Sequence, residues 1–227
     1  MKTNLESQYD GKVKNYLVQN RQMNEKSSAD FIDAIYKNFN KEKGYILELG
    51  CGGGSDLLFF QQKGFCCTGV DGSAEMCESA RKLSPDSRIL RKDFSQTLNL
   101  GKEIYDLVFS KWAMQTAEDI LPIYKNVEKV LKPNGIFAFL VVHPIRQFIE
   151  KKKLEKDYFK KEIVDSCIFN KTIVVKEPSH TLNEYFCNFF LENFDVLEIR
   201  EDFEFPAAEQ IGGDIYPTYL IVVAKKK

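Results

Sequence analysis

The chain has 227 residues, enough for one sizeable α/β domain with a small appendage. Hydrophobic residues make up 44% and aromatic residues 13% of the sequence, which excludes a globally disordered chain. The formal net charge of −1 gives no whole-chain electrostatic reason to expect nucleic acid or an anionic membrane as a partner.

Targeting and metal signals are missing from the sequence. The first residues contain no apolar leader and no stretch of 18 apolar residues occurs, so we expect a soluble cytoplasmic protein. The six cysteines form no C-x-x-C pair and there are only two histidines, so no metal site is predicted. Most cysteines lie in apolar or helical stretches, which favours buried, reduced thiols.

The first 43 residues predict helices. A short helix is expected around residues 9–21, and its Tyr9 and Tyr16 either fold over a ligand or anchor a surface helix. A clearer helix is expected to start at Ser27, because Ser27 and Asp30 approximate a capping box ahead of an apolar face.

From residue 44 the pattern alternates between apolar strands and helices. Strands are predicted at 45–49, 65–70, 88–91, 105–110 and 136–142, with helices at 55–63, 74–83 and 118–131 between them. This β-α alternation predicts an α/β fold with a doubly wound, seven-stranded, mostly parallel sheet. The last two strands are expected at 196–200 and 219–224, after an apolar helix at 181–192. Residues 145–180 break the alternation and predict an inserted helix (145–161) and hairpin.

The turn after the first predicted strand holds four glycines within five positions, 50 to 54. A dinucleotide fingerprint would need a glycine at 55, where Ser55 stands. Asp56 lies in the first turn of the next helix, where a negative charge disfavours an anion, and Glu48 adds to that bias. Asp71 ends the second strand and is suited to accept the hydroxyls of a ribose. The turn therefore predicts a cationic adenosyl cofactor.

Five motifs in order between residues 44 and 142 resemble those of the class I S-adenosylmethionine (SAM)-dependent methyltransferases. They are residues 48–54 (ELGCGGG), 69–76 (GVDGSAEM), 93–94 (DF), 105–110 (YDLVFS) and 130–136 (VLKPNGI). Residues 179–185 (SHTLNEY) and 192–194 (ENF) are similar to the small-molecule and quinone C-methyltransferase branch of that family. The resemblance implies a Rossmann-like fold, SAM as cofactor and S-adenosylhomocysteine (SAH) as product.

The same resemblance implies a role for each matching residue. Near the methionine end and the sulfonium of SAM it places Glu48, Gly50, Cys51, Gly52, Ser110, Lys111 and Trp112. Asp71 would bind the ribose diol, and Asp93 would accept from the adenine amino group. Gly72, Met76 and Phe94 would pack near the adenosine, and Tyr16 would reach the site from the N-terminal segment. For Met76, Phe94 and Trp112 ordinary core packing is the alternative.

Transfer of a methyl group is an in-line displacement, which needs a general base only where the acceptor must lose a proton. The candidate bases are His143, after the fifth strand, and His180, before the apolar helix; a structural role is the alternative for both. Six lysines between 151 and 161 could favour an acidic substrate, but interleaved acidic residues favour a solvated helix face.

These observations predict an enzyme that methylates a small metabolite, acting as a monomer or homodimer without nucleic acid or membrane. The alternatives are a methyltransferase that acts on RNA or protein, and a SAM-binding partner subunit without catalysis. We expect an N-terminal helical segment over the cofactor site (1–43), a SAM-binding core (44–144 and 181–227) and a substrate lid (145–180). The small-molecule reading also predicts a closed, mostly apolar cavity under that lid.

Overall fold

The computed structural model describes residues 9, 11–168, 173–204 and 215–227. Within these ranges the strands are β1 (Tyr45–Leu49), β2 (Cys66–Asp71), β3 (Arg88–Arg91), β4 (Tyr105–Lys111), β5 (Leu131–Val142), β6 (Ile163–Ile168), β7 (Ile173–Pro178), β8 (Phe194–Asp202) and β9 (Tyr219–Lys226). The helices are α1 (Val13–Met23), α2 (Glu25–Asn38), α3 (Ser55–Gln62), α4 (Ala74–Leu83), α5 (Leu121–Val130), α6 (Pro144–Glu150), α7 (Leu182–Tyr185) and α8 (Asn188–Asn193). A short 3₁₀ helix covers Met114–Thr116.

Seven strands form one sheet in the order β3-β2-β1-β4-β5-β9-β8. Strands β1 to β5 pair in parallel, whereas β9 runs antiparallel to both of its neighbours. The predicted doubly wound, mostly parallel sheet is therefore confirmed. The register opposes Glu48 of β1 to Gly69 of β2 and Phe109 of β4, so the carboxyl ends of these three strands lie at one edge. Ligands bind at this edge in open α/β sheets.

The sheet is buried on both faces, as a parallel sheet with helices on each side requires. Alternate residues of β1 point to opposite layers: Leu47 and Leu49 belong to one apolar cluster, and Ile46 to the other. The first cluster includes Tyr124 of α5, Phe139 of β5 and Phe190 of α8. The second includes Phe31 of α2, Phe60 of α3 and Phe109 of β4.

The start of α2 differs from the prediction. The helix begins at Glu25 after Asn24, two residues before Ser27, so the predicted capping box at Ser27 is wrong. The backbone N–H of Ser27 instead donates to Glu204 Oε1 at 2.6 Å, and the Ser27 side chain is fully buried. A tertiary partner far along the chain has replaced the local cap that sequence spacing indicated.

The inserted segment is less helical than predicted. Helix α6 ends at Glu150, because the buried Lys151 folds the following residues into a loop through hydrogen bonds to the carbonyl oxygens of Asp157 and Lys160 at 2.7 and 2.6 Å. Strands β6 and β7 form the predicted antiparallel hairpin, whose turn lies outside the described residues. The single helix predicted at 181–192 is two helices, α7 and α8.

None of the helices in the described part of the chain has the length and apolar character needed to span a bilayer.

Candidate functional site

A cavity of about 410 Å³ lies at the carboxyl ends of β1, β2 and β4. This volume is within the range of ligand-binding pockets, roughly 300–1,000 Å³. Ten of the thirteen predicted cofactor residues line it: Tyr16, Gly50, Gly52, Asp71, Gly72, Met76, Asp93, Phe94, Lys111 and Trp112. The described lining residues also include Tyr9, Lys92, Ser95, Ala113, Thr116, Ala117 and Glu118. No described residue from 145–180 lines this cavity.

The glycines of the turn between β1 and α3 let other groups approach its backbone closely. Both Gly50 (φ +76°) and Gly52 (φ +49°) adopt the left-handed region that favours glycine. A Cβ on Gly50 would lie 2.2 Å from Ala113 Cβ, so the loop after β4 can pack here only against glycine. A Cβ on Gly52 would meet only the sulfur of Met76, at 3.9 Å, and would extend into the cavity. The backbone of Gly52 is therefore open to a ligand.

Asp71 is fixed at the cavity by two backbone donors. Its Oδ2 accepts from the N–H of Gly52 and its Oδ1 from the N–H of Ser73, both at 2.8 Å. Ser73 in turn caps α4 by accepting at Oγ from the N–H of Met76 at 3.2 Å. This arrangement holds the carboxylate at the end of β2 in one orientation, and a carboxylate at that position can accept hydrogen bonds from two hydroxyls of a ribose.

Asp93, in the loop after β3, is a second carboxylate in the cavity wall. Asp93 Oδ1 accepts from the N–H and the hydroxyl of Ser95, at 2.9 and 2.6 Å. The carbonyl oxygen of Phe94 accepts from Asn126 Nδ2 at 3.1 Å, which ties this loop to α5. Phe94 packs against the core and also lines the cavity. Its predicted contact with the adenosine stays a prediction.

Glu48 lies behind the cavity wall. It is only 2% exposed, on the face of β1 opposite Leu47 and Leu49. Burial, together with the nearby Asp56 carboxylate, raises the pKa of Glu48 well above its ordinary value. Its Oε2 atom has no hydrogen-bond partner among the described residues. The predicted contact to a methionine moiety would therefore have to pass through the backbone of the glycine turn.

The charge of Asp56 is compensated, which corrects the electrostatic argument made from the sequence. Lys111 Nζ lies 2.6 Å from Asp56 Oδ2, and both side chains are largely buried. Burial would lower the pKa of Lys111, but Asp56 raises it above its ordinary value. Because Lys111 also lines the cavity, Asp56 contributes little net negative charge there. The pairing joins residues 55 positions apart, so no local sequence signal could reveal it.

Ser110 and Cys51 lie near the cavity but outside its lining. The buried Ser110 hydroxyl donates to the carbonyl oxygen of Leu49 at 2.9 Å, which joins β4 to the end of β1. Cys51 is buried beneath the turn, close to Gly69, and burial raises the pKa of its thiol well above the ordinary value. Such a thiol is a poor nucleophile. The expectation of buried thiols holds for Cys51, Cys67 and Cys77 but not for Cys66, which is exposed.

Trp112 has an unusual backbone for a bulky residue. Its φ is +55°, directly after β4 ends at Lys111, and its N–H donates to the carbonyl oxygen of Leu140 at 2.8 Å. The indole packs edge-on against Tyr219, with ring centroids 6.3 Å apart. Its buried Nε1 has no hydrogen-bond partner among the described residues. Strained backbone of this kind concentrates at ligand sites, where the surrounding structure holds it.

The N-terminal segment brings two tyrosines to the cavity. The rings of Tyr9 and Tyr16 contact each other edge-on, with centroids 5.0 Å apart, and both line the cavity. The segment is held by the N–H of Gly11, which donates to Glu75 Oε1 at 3.0 Å, and by Leu17, which packs on the turn at Gly53. Burial raises the pKa of both phenols, so they stay neutral at physiological pH.

Neither histidine predicted as a base lines the cavity. His143 is fully buried and caps α6, because its Nδ1 accepts from the N–H of Ile145 at 3.0 Å, and its Nε2 lies 2.6 Å from Glu201 Oε1. His180 is 1% exposed, and its Nε2 lies 3.1 Å from the carbonyl oxygen of Gln115. Both positions fit the structural alternative, and a catalytic role for either stays a prediction that its placement does not favour.

Several lining residues belong to no motif in the sequence. Most of them, from Ala113 to Glu118, belong to the loop and 3₁₀ helix after β4. Their position at the carboxyl end of a central strand was the available signal. Among the described residues no group of three or more His, Cys, Asp or Glu side chains is placed to hold a metal ion.

Residues 47–139 match the family model described as "Methyltransferase domain". The chain is 34% identical over 104 residues to YqeM of Bacillus subtilis (strain 168), a protein whose methyltransferase name is provisional; the match covers 43% of this chain and 42% of YqeM. It is 28% identical over 128 residues to trans-aconitate 2-methyltransferase of Escherichia coli (strain K12 / DH10B), covering 48% of this chain and 50% of that enzyme.

A solved structure from Listeria monocytogenes, provisionally described as a SAM-dependent methyltransferase, superposes with a TM-score of 0.71 at 21% identity, over 88% of this chain and 98% of that one. The fold is thus that of the class I methyltransferases. Residues 47–139, which hold the glycine turn, Asp71, Asp93 and β4, carry the sequence of a methyltransferase domain. The chain spans about half the length of the curated relatives it matches. The narrower resemblance to quinone C-methyltransferases stays a prediction.

Proposed function

We propose that this protein is a SAM-dependent methyltransferase that acts on a small-molecule acceptor. The observation that supports it most is the placement of Asp71, held by the N–H groups of Gly52 and Ser73 at the edge of the cavity. The methyltransferase-domain match over residues 47–139 supports the same reading.

The cavity residues fit SAM in three parts. Asp71 would accept from the ribose hydroxyls, and Asp93 from the adenine amino group, with Met76 and Phe94 against the base. The methionine end would lie along the open backbone at Gly50 and Gly52. When bound, SAM supplies a methyl group on a sulfonium, activated toward in-line displacement.

The charge and aromatic character of the lining favour a cation. Three carboxylates, Asp71, Asp93 and Glu118, line the cavity against two lysines. One of these lysines, Lys111, is already paired with Asp56. Aromatic faces attract cations as well, and four aromatic side chains line the cavity: Tyr9, Tyr16, Phe94 and Trp112. A sulfonium is therefore favoured over a diphosphate, for reasons that differ from those the sequence suggested.

A small acceptor is supported by the concave shape and modest volume of the cavity, about 410 Å³. The E. coli relative is named for a small molecule, trans-aconitate. At the end of β4 this chain has Ser110-Lys111-Trp112-Ala113, where nucleic-acid amino-methyltransferases carry an N/D-P-P-Y/F tetrapeptide. Because no histidine lines the cavity, rate acceleration in this proposal comes mainly from orienting the acceptor against the methyl group.

Calorimetric titration with SAH tests cofactor binding. We expect the unaltered protein to bind SAH and Asp71→Asn to weaken binding at least tenfold, since the carboxylate would lose its hydroxyl contacts, worth roughly 1.5–3 kcal/mol for a charged hydrogen bond. Asp86→Asn is the matched control, because Asp86 is exposed, accepts from Gln61 Nε2 at 2.7 Å and lies outside the cavity lining. Turnover is then sought with labelled SAM and metabolite extracts. No heat with SAH or SAM would overturn the proposal.

A further inference from the structure

The loop after α6 exposes apolar side chains; we call it the basic loop, residues 151–163. Leu154 is fully exposed and Phe159 is 81% exposed, which makes them the two most exposed large hydrophobic side chains among the described residues. Ile163, where β6 begins, is 66% exposed. Single apolar residues are common on protein surfaces, but three within one short segment indicate a surface that contacts another body.

Hydrogen bonds hold the basic loop in a closed shape. The buried ammonium group of Lys151 donates to the carbonyl oxygens of Asp157 and Lys160 at 2.7 and 2.6 Å, which joins the beginning of the loop to residues near its end. The hydroxyl of Tyr158 accepts from the N–H of Leu182 at 3.0 Å, which fastens the loop to α7. Compact surface loops with joined ends are Ω-type loops, which often carry function.

The basic loop is positively charged, although the protein as a whole is not. It contains six lysines and three acidic residues, a net charge of +3, whereas the whole chain carries −1. Two of the lysines are paired within the inserted segment, Lys152 with Asp165 and Lys153 with Glu162. Because α6 ends before this loop, the lysines do not form the solvated helix face that the sequence favoured. Positive charge is thus concentrated where the exposed apolar side chains lie.

Lysine and apolar side chains share one surface of the basic loop. A groove of about 250 Å³ is lined by Lys152 and Lys153 together with Ile163. Leu154 and Phe159 lie between lysines in the sequence, with Lys153 directly before Leu154. A partner of this surface must therefore accept apolar side chains and ammonium groups side by side.

An anionic lipid surface meets both requirements. Apolar side chains of a peripheral protein enter the boundary between headgroups and acyl chains, while lysines on the same face are attracted to anionic headgroups. The long lysine side chain also lets its ammonium group stay in water as the apolar stem is buried. Interfaces between proteins are, in contrast, depleted of lysine. Charge and composition therefore favour a lipid surface over a protein partner.

We propose that the basic loop docks this protein on an anionic lipid surface, with Leu154 and Phe159 among the headgroups. The expectation of no membrane partner came from the charge of the whole chain, which does not reveal a local surface. Docking is independent of the proposed function, but it would bring the candidate site close to the lipid. Lys161 Nζ donates to the carbonyl oxygen of Glu118, a residue of the cavity lining, at 2.6 Å.

Flotation of the full chain with lipid vesicles tests the docking. We compare vesicles of phosphatidylcholine with vesicles that also contain about 30% of the anionic lipid phosphatidylglycerol. We expect at least about tenfold stronger partitioning onto the anionic vesicles. Most of that difference should be lost at about 0.5 M NaCl, where salt screens the surface charge.

The double variant Leu154→Ser/Phe159→Ser tests the apolar contact. It should weaken partitioning onto anionic vesicles at least about tenfold, since two apolar side chains no longer leave water on docking. SAH affinity and the melting temperature should not change, because both side chains face solvent in the free protein. Leu191→Ser/Ile199→Ser is the matched control: it removes side chains that are 46% and 53% exposed, from α8 and β8, and should partition like the unaltered protein.

A second pair of variants tests the charge. Lys156→Gln/Lys160→Gln removes two positive charges from the basic loop and should weaken partitioning onto anionic vesicles about tenfold. Lys125→Gln/Lys129→Gln removes the same charge from exposed positions of α5 and should have a much smaller effect.

Insertion of the loop is measured by fluorescence. The emission of Phe159→Trp should shift to shorter wavelength on anionic vesicles, compared with the unaltered protein, whose single tryptophan is Trp112. No partitioning onto anionic vesicles, equal partitioning onto both kinds of vesicle, or partitioning indifferent to Leu154→Ser/Phe159→Ser would each overturn the docking proposal. SAH calorimetry measures the cofactor site separately, so the proposed function stands or fails independently of these results.

Discussion

Asp71 Oδ2 accepts a hydrogen bond from the N–H of Gly52 at 2.8 Å, so the end of β2 and the turn after β1 hold each other in place. The carboxylate aligns the turn, and the turn orients the carboxylate. In the proposed function both then contact the same cofactor, one through a side chain and the other through open backbone.

Gly52→Ala should abolish SAH binding without unfolding the protein. The new Cβ would meet only Met76 Sδ at 3.9 Å and would occupy the cavity, while the left-handed backbone costs about 1 kcal/mol for a non-glycine residue. Gly64→Ala is the matched control: its φ of +90° imposes similar strain, its Cβ meets nothing within 4 Å, and it lies outside the cavity. Thermal melts and SAH calorimetry on both variants check this, and equal SAH affinity in the two would contradict it.

The Lys111–Asp56 pair predicts a strong coupling in stability. Lys111→Met should cost about 3 kcal/mol in the free energy of unfolding, because it leaves the buried Asp56 carboxylate unpaired beside Glu48. The double variant Lys111→Met/Asp56→Asn should recover much of that loss. Urea denaturation of the two single variants and the double variant gives the coupling energy, and additive losses would show that the pair is not coupled.

The sequence predicted Asp71 at the end of an apolar strand, and the family resemblance implied a site role for Asp93. Both line the cavity, since parallel strands end at the same edge of the sheet. Glu48 lies outside the lining because side chains alternate between the two faces of a strand. Its side chain is buried on one face of the sheet and does not point along the strand toward the cavity. The Lys111–Asp56 pair and the positive φ of Trp112 depend on tertiary contacts that a single sequence does not encode locally.

In the inserted segment, residues 145–180, local sequence patterns again did not reveal the tertiary contacts. The hairpin was predicted because its strands are local patterns, but the polar character of what lies beneath it was not. Gln115, Gln147 and Glu177 come from three separate segments, and each alone is typical of an exposed residue. Only the packing of β7 on the 3₁₀ helix brings them together.

His143→Ala should lower stability and leave methyl transfer unchanged. The variant loses the cap of α6 and the contact to Glu201, about 1–2 kcal/mol. Burial lowers the pKa of His143 despite the neighbouring Glu201, so the folded state favours the neutral ring. That contribution is fully present above about pH 6.5 and is lost as the pH falls through the folded-state pKa.

Two measurements separate this role from catalysis. The unfolding free energy of His143→Ala should depend less steeply on pH between about 5 and 7 than that of the unaltered protein. The transfer rate, measured well below the melting temperature, should match within twofold. A large fall in kcat with unchanged stability would instead support His143 as a base.

Glu184 should stabilise the protein at neutral pH through its charge. Burial would raise the pKa of Glu184, but hydrogen bonds from His180 and Lys161 and from the N–H of Thr181 outweigh it and lower the pKa to about 2. A carboxyl whose folded-state pKa is depressed contributes stability above its unfolded pKa of about 4.3, and that contribution is lost as the pH falls toward 2. Because Glu184 is about a third exposed, we expect about 1–2 kcal/mol.

Glu184→Gln isolates that charge, since glutamine can still complete the capping box with Thr181 at the start of α7. The variant should be less stable than the unaltered protein at pH 7, and the difference should shrink steadily as the pH is lowered toward 2. Glu192→Gln, at an exposed position of α8, serves as the control and should change stability by less than about 0.5 kcal/mol. Urea denaturation at several pH values measures both, and a stability difference that does not vary with pH would show that the carboxylate charge is not what stabilises α7.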